Sequence, residues 1–452
     1  MNVKALMLVG IFSFALEPVL CPPTAAAVLH VSQGAEGPAH DGLSWLTAYL
    51  AVPDAVAAAN AGDEIWVAAG TYTSAFELSQ DTSVYGGFAG TESERTQRDP
   101  ELHPSLMSGT GFTGINITAA VSPVSVIDGF IFNSAFHINL SGGSPTVSHN
   151  TFQGTAPGIG TDSNNYPASD ARILYNTFVG FGGSPSIFIG GGNPIVQGNT
   201  VTGGSIWCGY GDPYAGPASP IVIGNYVSTG NYAIEVGGSN AYVASNVAVG
   251  AELHVSGSGA IIVNNTVVGS ALKGLVYPSM LGDCVVANNL VAFNKYGMVP
   301  GEYSQTADPV TLFNNCVYGN SGGNYPVILK DATGFQGNIS VDPQLVSRKG
   351  DFHLAATSPL IDAGNDAYVQ SGDTDAVGKP RIQGAHVDIG AYEFGGSSFT
   401  MGDVAGALRL WGGLSAGTPD LSARLDVEAG NGVNMRDAVR LARKAAGLEQ
   451  NP

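Results

Sequence analysis

The chain has 452 residues, 63 of them Gly and 25 Pro, and its 17 basic and 36 acidic side chains are together only 12% of it. That composition excludes a collagenous repeat and a charged disordered chain and points to a large folded body, while the net charge of −19 excludes nucleic acid as a partner, since phosphate-backbone affinity comes largely from Lys and Arg displacing counterions. Apolar residues, 44% of the chain, fall in short runs broken by Gly, Asn and Ser, a texture of many short strands that excludes an all-helical protein.

At the start, Lys4 precedes an apolar run from Ala5 to Leu16, and small residues follow at Ala25, Ala26 and Ala27. This is the layout of a secretory signal peptide over residues 1–27, with the mature chain beginning at Val28. The run is too short to span a bilayer, so no transmembrane segment is expected, and Leu20 before Cys21 is too large for a lipoprotein signal. The expectation is a secreted, extracellular or cell-surface protein. Loss of Cys21 leaves Cys208, Cys284 and Cys316, with no Cys-x-x-Cys pair for a zinc site and a Cys284–Cys316 bridge left open.

Beyond residue 115 one short pattern recurs: an apolar residue, two variable residues, Asn, one residue, then another apolar residue. The Asn positions are 150, 176, 199, 225, 246, 265, 289, 315 and 338, and Gly129 is read into the same slot because Gly and Asn both accept a left-handed backbone. Three residues before the anchors stand Val126, Val147, Ile173, Val196, Val222, Val243, Ile262, Val286, Leu312 and Phe335. Two residues after them stand Ile131, Phe152, Phe178, Val201, Val227, Ala248, Val267, Val291, Val317 and Ser340. The anchors are too far apart for a hairpin repeat and lack a helix for a leucine-rich one, so the fold class is all-β, a right-handed parallel β-helix with an Asn ladder and rungs about 4.8 Å apart. A β-sandwich would need hairpin signals, and only an Asn-Gly in the C-terminal tail provides one.

With these rungs the chain resembles the pectin-lyase-like β-helix superfamily. Asp41-Gly42-Leu43-Ser44-Trp45, the segment Asp54 to Tyr72 and Tyr85-Gly86-Gly87-Phe88-Ala89-Gly90-Thr91-Glu92 resemble the N-terminal cap and first strands of the secreted choice-of-anchor Q group. Ser358-Pro359-Leu360-Ile361-Asp362-Ala363-Gly364 and Val387-Asp388-Ile389-Gly390-Ala391-Tyr392-Glu393 are similar to its closing segment. The resemblance implies a body over 28–395, with a cap at 28–115 and a closing segment at 343–395, in roughly a dozen turns counting the cap. A short helix from Asp54 to Asn60 is expected to cover the open end of the stack, and Asp362, Asp388 and Glu393 to satisfy backbone N–H groups in turns.

After Gly395-Gly396-Ser397-Ser398, residues 399–452 turn helical, with Met401 to Leu414 and Met435 to Leu448 as two copies of one pattern. Asp426, Glu428, Asn434 and Asp437 take positions 1, 3, 9 and 12 of a calcium loop. This resembles a dockerin, which implies calcium as cofactor and a cohesin-type partner, although Gly430 and Asn431 depart from the usual residues at positions 5 and 6. A helical hairpin that merely closes the chain is the alternative.

On the body, Asn-Thr-Asp, Asp-Asp, Gly-His-Gly and Arg-Ile-Lys, the marks of polygalacturonase-type hydrolases, are absent, and no catalytic set is assigned. Asp128 and His149 sit before consecutive anchors, with Tyr175 next, as a candidate acid–base pair or a hydrogen-bonded turn stack. Asp283, Asp308 and Asp331 precede three consecutive anchors, as a calcium column or solvated turn acids. Trp207, Tyr210, Asp212 and Tyr214 cluster in a long rung, with Tyr232 at nearly the same offset as Trp207 one rung on and Tyr166 and Tyr303 in other long rungs. Aromatic rings beside a carboxylate suit sugar, or else pack a loop onto the stack. The expected function is a secreted polysaccharide-engaging protein tethered through its dockerin-like C-terminus. A polysaccharide lyase or glycoside hydrolase is one alternative, and a non-catalytic stalk or adhesin another.

Overall fold

The computed structural model describes residues 26–395 except 110–113, 135, 155–157, 162–167, 183, 210–217, 229–231, 279–283, 302–311 and 327–330. The signal-peptide run and the whole 399–452 module lie outside the described residues.

The strands form three sheets of twelve, eleven and ten strands, designated A, B and C, and each strand pairs with its counterpart in the turn before and the turn after. Every strand pairing is parallel, as between Val147 and Ile173 or Phe152 and Phe178, so the chain is a parallel β-helix and not a sandwich. The regular stack makes about nine turns, one for each anchor Asn; the expected dozen counted the cap as well.

Inward side chains form three columns, one per sheet. Val147, Ile173, Val196, Val222 and Val243 run down sheet A; Phe152, Phe178, Val201 and Val227 down sheet B; Ile138, Ile159, Ile187, Ile206 and Ile234 down sheet C. All are essentially sealed from solvent, each contributing about 1.5–3 kcal/mol by burial. Phe132, Phe152 and Phe178 stack face to face at 4.6 and 4.7 Å. Parallel stacking repeats an identical environment every turn, so like residues meet like.

The anchors form the ladder. Asn225 donates from its backbone N and from Nδ2 to Asn246 Oδ1, both at 3.0 Å, and Asn246 repeats this onto Asn265. The ladder runs unbroken from Asn150 to Asn338, with every member buried, and Nδ2 also reaches a backbone carbonyl such as Val196 O, at 2.9 Å from Asn225. Low dielectric strengthens such a network because each buried amide is satisfied.

Two expectations about the pattern need correction. The left-handed residue is the one before each anchor, as at His149 (φ 51°), Tyr175 (55°) and Asn264 (57°). Gly129 (φ 82°) belongs to that preceding slot, because Asp128 pairs with Ser148; Phe130 takes the anchor place and donates to Asn150 Oδ1 at 3.0 Å. The first core pair is therefore Ile127 and Phe132, in place of Val126 and Ile131. At the other end Phe335 is 54% exposed, and the last anchor stands in a tight turn in which the Asn338 N–H donates to Phe335 O.

Helix α1 (Val52–Ala58) buries Val52 and Ala55 against the first strands and covers that end of the stack, close to the expected position. The closing segment does not close the other end. It returns along the outside of the stack, where Leu354, Leu360 and Ile389 pack on Leu290, Ala292 and Cys316, and Phe352, Ala391 and Tyr392 pack on Val247 and Val268. The residues of the left-handed slot hold its backbone: Ser245 Oγ donates to Thr374 O, and the Nδ2 groups of Asn264, Asn288 and Asn314 donate to Asp388 O, Asn365 O and Ala363 O, at 2.8 to 3.2 Å. Asp388 accepts from the backbone N of Asp362 and of Phe394, and Arg381, 2% exposed, pairs with Glu393 at 2.7 Å while donating to the carbonyls of Gly390 and Ala391. The carboxylates of this segment thus bind backbone and a buried guanidinium. Cys208, Cys284 and Cys316 are buried thiols, each pushed up to about 12 by burial, and no Cys284–Cys316 bridge forms.

Candidate functional site

The connection from sheet A to sheet B is two residues long throughout the regular stack, as between Ser148 and Thr151 or Ala244 and Val247. Length varies beside sheet C, with the longest connections running from Thr161 to Arg172, Cys208 to Ile221 and Pro300 to Leu312. Uniform turns build the scaffold, whereas long loops carry specialised side chains.

On the sheet C strands Ile206, Cys208, Ile234, Val236, Leu253 and Val255 face inward, so strand alternation sends Trp207, Glu235, Glu252 and His254 to the outer face. Trp207 pairs in register with Phe188 on one side and Glu235 on the other, and Glu235 pairs with His254. The half-buried Trp207 ring lies 6.1 Å from that of Phe188. Glu235 and Glu252 are 6% and 5% exposed, and His254 Nδ1 stands 3.8 Å from an oxygen of each. One indole face, two shielded carboxylates and an imidazole on three adjacent strands can stack on a sugar ring, accept from its hydroxyls and exchange protons.

Glu235, Glu252 and His254 escaped the sequence reading. Their signal was alternation, polar residues between Ile234 and Val236 or Leu253 and Val255. The obstacle was register: Trp207 lies eight residues after Asn199, but its partner Glu235 lies ten after Asn225, because the connection into that strand is longer. Tyr232, chosen by offset, opens its strand and pairs with Glu252, so it is not the neighbour of Trp207. Tyr210, Asp212 and Tyr214, and likewise Tyr166 and Tyr303, lie outside the described residues.

The second cluster lies at the A–B corner. His149 Nδ1 donates to Asp128 Oδ2 at 2.8 Å, Ser148 Oγ donates to the same oxygen at 2.6 Å, and the Arg98 guanidinium pairs with Oδ1. Burial would raise the Asp128 carboxyl, but the bonds from His149, Ser148 and Arg98 outweigh it and hold it at about 2. The Asp128 hydrogen bond in turn raises His149 above its usual value. The His149 side chain is 63% exposed, and its ring stacks on Tyr175 at 5.6 Å. Arg98 comes from the cap, 30 residues upstream, and no local pattern announces it; Gly129 makes its approach feasible, since a Cβ there would stand 2.5 Å from Arg98 Nη1.

Asp283 and Asp308 lie outside the described residues, and Asp331 accepts from the backbone N of Thr333 at 2.9 Å, a local turn. Among the described residues no three His, Cys, Asp or Glu side chains are grouped to hold a metal ion. Asp426, Glu428, Asn434 and Asp437 lie outside the described residues. No helix among the described residues is long and apolar enough to cross a membrane.

The molecule belongs to the class of parallel β-helix proteins by its topology. Residues 222–376, about a third of the chain, match a family described as "Disaggregatase related". No curated protein matches the chain. Among solved structures it is similar to pectate lyase Pel9A, at 15% identity and a TM-score of 0.40 over 82% of this chain and 97% of that one. It is also similar to the PL6 family alginate lyase AlyGC (12%, TM-score 0.38, 67% of this chain and 54% of that one) and to the PL6 family polysaccharide lyase Pedsa3628 from Pseudopedobacter saltans (13%, TM-score 0.28, 75% and 97%).

Proposed function

We propose that this is an exported β-helix protein that binds polysaccharide along the outer face of sheet C and is tethered through its dockerin-like residues 399–452, with Asp426, Glu428, Asn434 and Asp437 as calcium ligands. The observation that carries the reading is the register column Trp207–Glu235–His254, a ring followed by polar groups on successive strands. The segment bearing Tyr210, Asp212 and Tyr214 follows directly after Trp207 in the chain and extends the same chemistry. Affinity electrophoresis on a polysaccharide panel tests it: the wild type is retarded by at least one polymer, and Trp207→Ala weakens that retention about tenfold or more, as expected when a buried aromatic anchor is truncated. Retention unchanged in the variant would remove sheet C as the binding face.

A second reading, a polysaccharide lyase or hydrolase, is favoured by the Asp128–His149 pair, whose 2.8 Å bond leaves Nε2 of an exposed imidazole directed outward by a fixed carboxylate. It requires new reducing or unsaturated ends on incubation with polysaccharide, abolished by His149→Ala. Retention without any new ends rejects it.

A further inference from the structure

We infer that the A–B corner at His149 and Tyr175 is a second glycan-binding site, so that one molecule joins two polysaccharide chains. The inference rests on the polysaccharide reading of sheet C and adds a separate site to it.

The left-handed slot supplies the side chains. At Ser245, Asn264, Asn288 and Asn314 they donate to the backbone of the returning segment, residues 343–395. Earlier in the stack the same slot holds two rings, and their exposure, 63% for the His149 side chain and 51% for Tyr175, shows that the segment does not cover them. Among the described residues Tyr175 is the only Tyr or Trp that is exposed.

The Tyr175 ring is set in place by its neighbours. The His149 ring lies at 13° to it with centroids 5.6 Å apart, and Gln197 Nε2 donates to its hydroxyl at 3.4 Å. One turn on, the slot holds Gly198, where a Cβ would stand 2.5 Å from Tyr175 Cε1, so the ring fills space that any other residue would claim. A ring already held in position loses little freedom when a ligand stacks on it.

Beside the ring stands a polar group of fixed direction. His149 Nδ1 donates to Asp128 Oδ2 at 2.8 Å, and that carboxylate is itself bound by Ser148 Oγ and the Arg98 guanidinium. With Nδ1 committed, Nε2 serves a ligand, donating to a sugar hydroxyl or accepting from one according to its protonation. An aromatic ring that takes the apolar face of a pyranose, next to a polar atom that orients it, is the pairing a sugar site uses. The corner joins sheets A and B, whereas Trp207, Glu235 and His254 lie on the outer face of sheet C. The two sites open on different sides of the stack, so separate chains can be held at once.

The test mixes the full chain with beads coated in β-glucan, xylan, chitosan, polygalacturonate or alginate. Clumping reads joining, and affinity electrophoresis on the same polymers reads binding. The wild type should clump beads of each polymer that retards it. Tyr175→Ala and Trp207→Ala should each keep weakened retention and lose clumping, requiring at least about tenfold more protein for the same effect, while the double variant loses retention as well. Tyr175→Phe, which keeps the ring, should clump beads as the wild type does, and wild-type melting temperatures show that the variants fold. Clumping that survives Tyr175→Ala unchanged would overturn the inference, because the joining would then come from sheet C through self-association. Retention of the wild type without clumping would also overturn it and leave the polysaccharide reading standing. Retention by no polymer would remove the reading and the inference together.

Discussion

The two outer sides of the stack carry the same repeat to different ends. Along the A–B corner from Ser245 to Asn314, the side chains of the left-handed slot are spent on the backbone of the returning segment, and apolar residues on both seal the contact. On sheet C the described strands hold Trp207, Glu235, Glu252 and His254 at their outward positions. One side therefore spends its polar groups on a unique segment of the chain, and the other sets an aromatic ring, two shielded carboxylates and an imidazole side by side on adjacent strands. A polar side chain on a β-helix gains meaning from its place relative to the returning segment 343–395, the strap of this stack.

The comparison can be broken most severely at the strap. Replacing Arg381 by Met leaves Glu393 buried without its partner and should cost about 3–5 kcal/mol, the usual penalty for halving a buried ion pair. Hydrogen exchange should then rise across residues 343–395 and not in the sheet C strands; equal loosening of both would show that strap and stack do not separate.

Asn246→Ala sharpens the contrast between inner ladder and outer face. The change leaves Val222 O and the backbone N of Asn225 without their partners, at a cost of about 2–3 kcal/mol in denaturant unfolding. Asn139, whose bonds to Asn116 and Ser141 lie on the partly solvated outer face of sheet C, should tolerate Ala at under about 1 kcal/mol. Equal losses would mean that the outer face is as structural as the ladder.

The smallest effect is electrostatic. His149 is raised above its usual value of 6.5 and Asp128 is lowered from 3.8 to about 2. The pair's contribution to stability is therefore complete between those two unfolded values. It fades as pH climbs through the raised His149 value, where the imidazole loses its proton, and again as pH falls toward 2, where Asp128 gains one. Solvent at the exposed imidazole keeps the stability effect small. An NMR titration should place His149 above 6.5 and return it there in Asp128→Asn; a wild-type midpoint at or below 6.5 would remove the pair as an organised unit.

Much of the fold was legible because a parallel stack writes its period into the chain. The anchors from Asn150 to Asn338 and the apolar residues around most of them were found by spacing alone, since each turn must present the same residue type at the same corner. The reading slipped where that logic weakens. Gly129 was placed in the anchor slot because Gly and Asn share a backbone preference, and only the pairing of Asp128 with Ser148 reveals the one-residue shift. Half of the corner cluster was legible, Asp128 and His149, while Arg98 was not, because it arrives from the cap through contacts that no local spacing records.

By itself, the sequence determined the stack: its period, its inward columns and its ladder, all set by interactions between equivalent positions one turn apart. Tertiary structure decided the rest. Register on sheet C depends on connections of unequal length, so residues at similar offsets, Trp207 and Tyr232, do not meet, while Trp207 and Glu235 do. The course of residues 343–395 along the flank depends on apolar and backbone contacts with rungs more than a hundred residues away in the chain at Asn264 and Thr266. Such contacts leave no period to read, because they join a unique segment to a repeat.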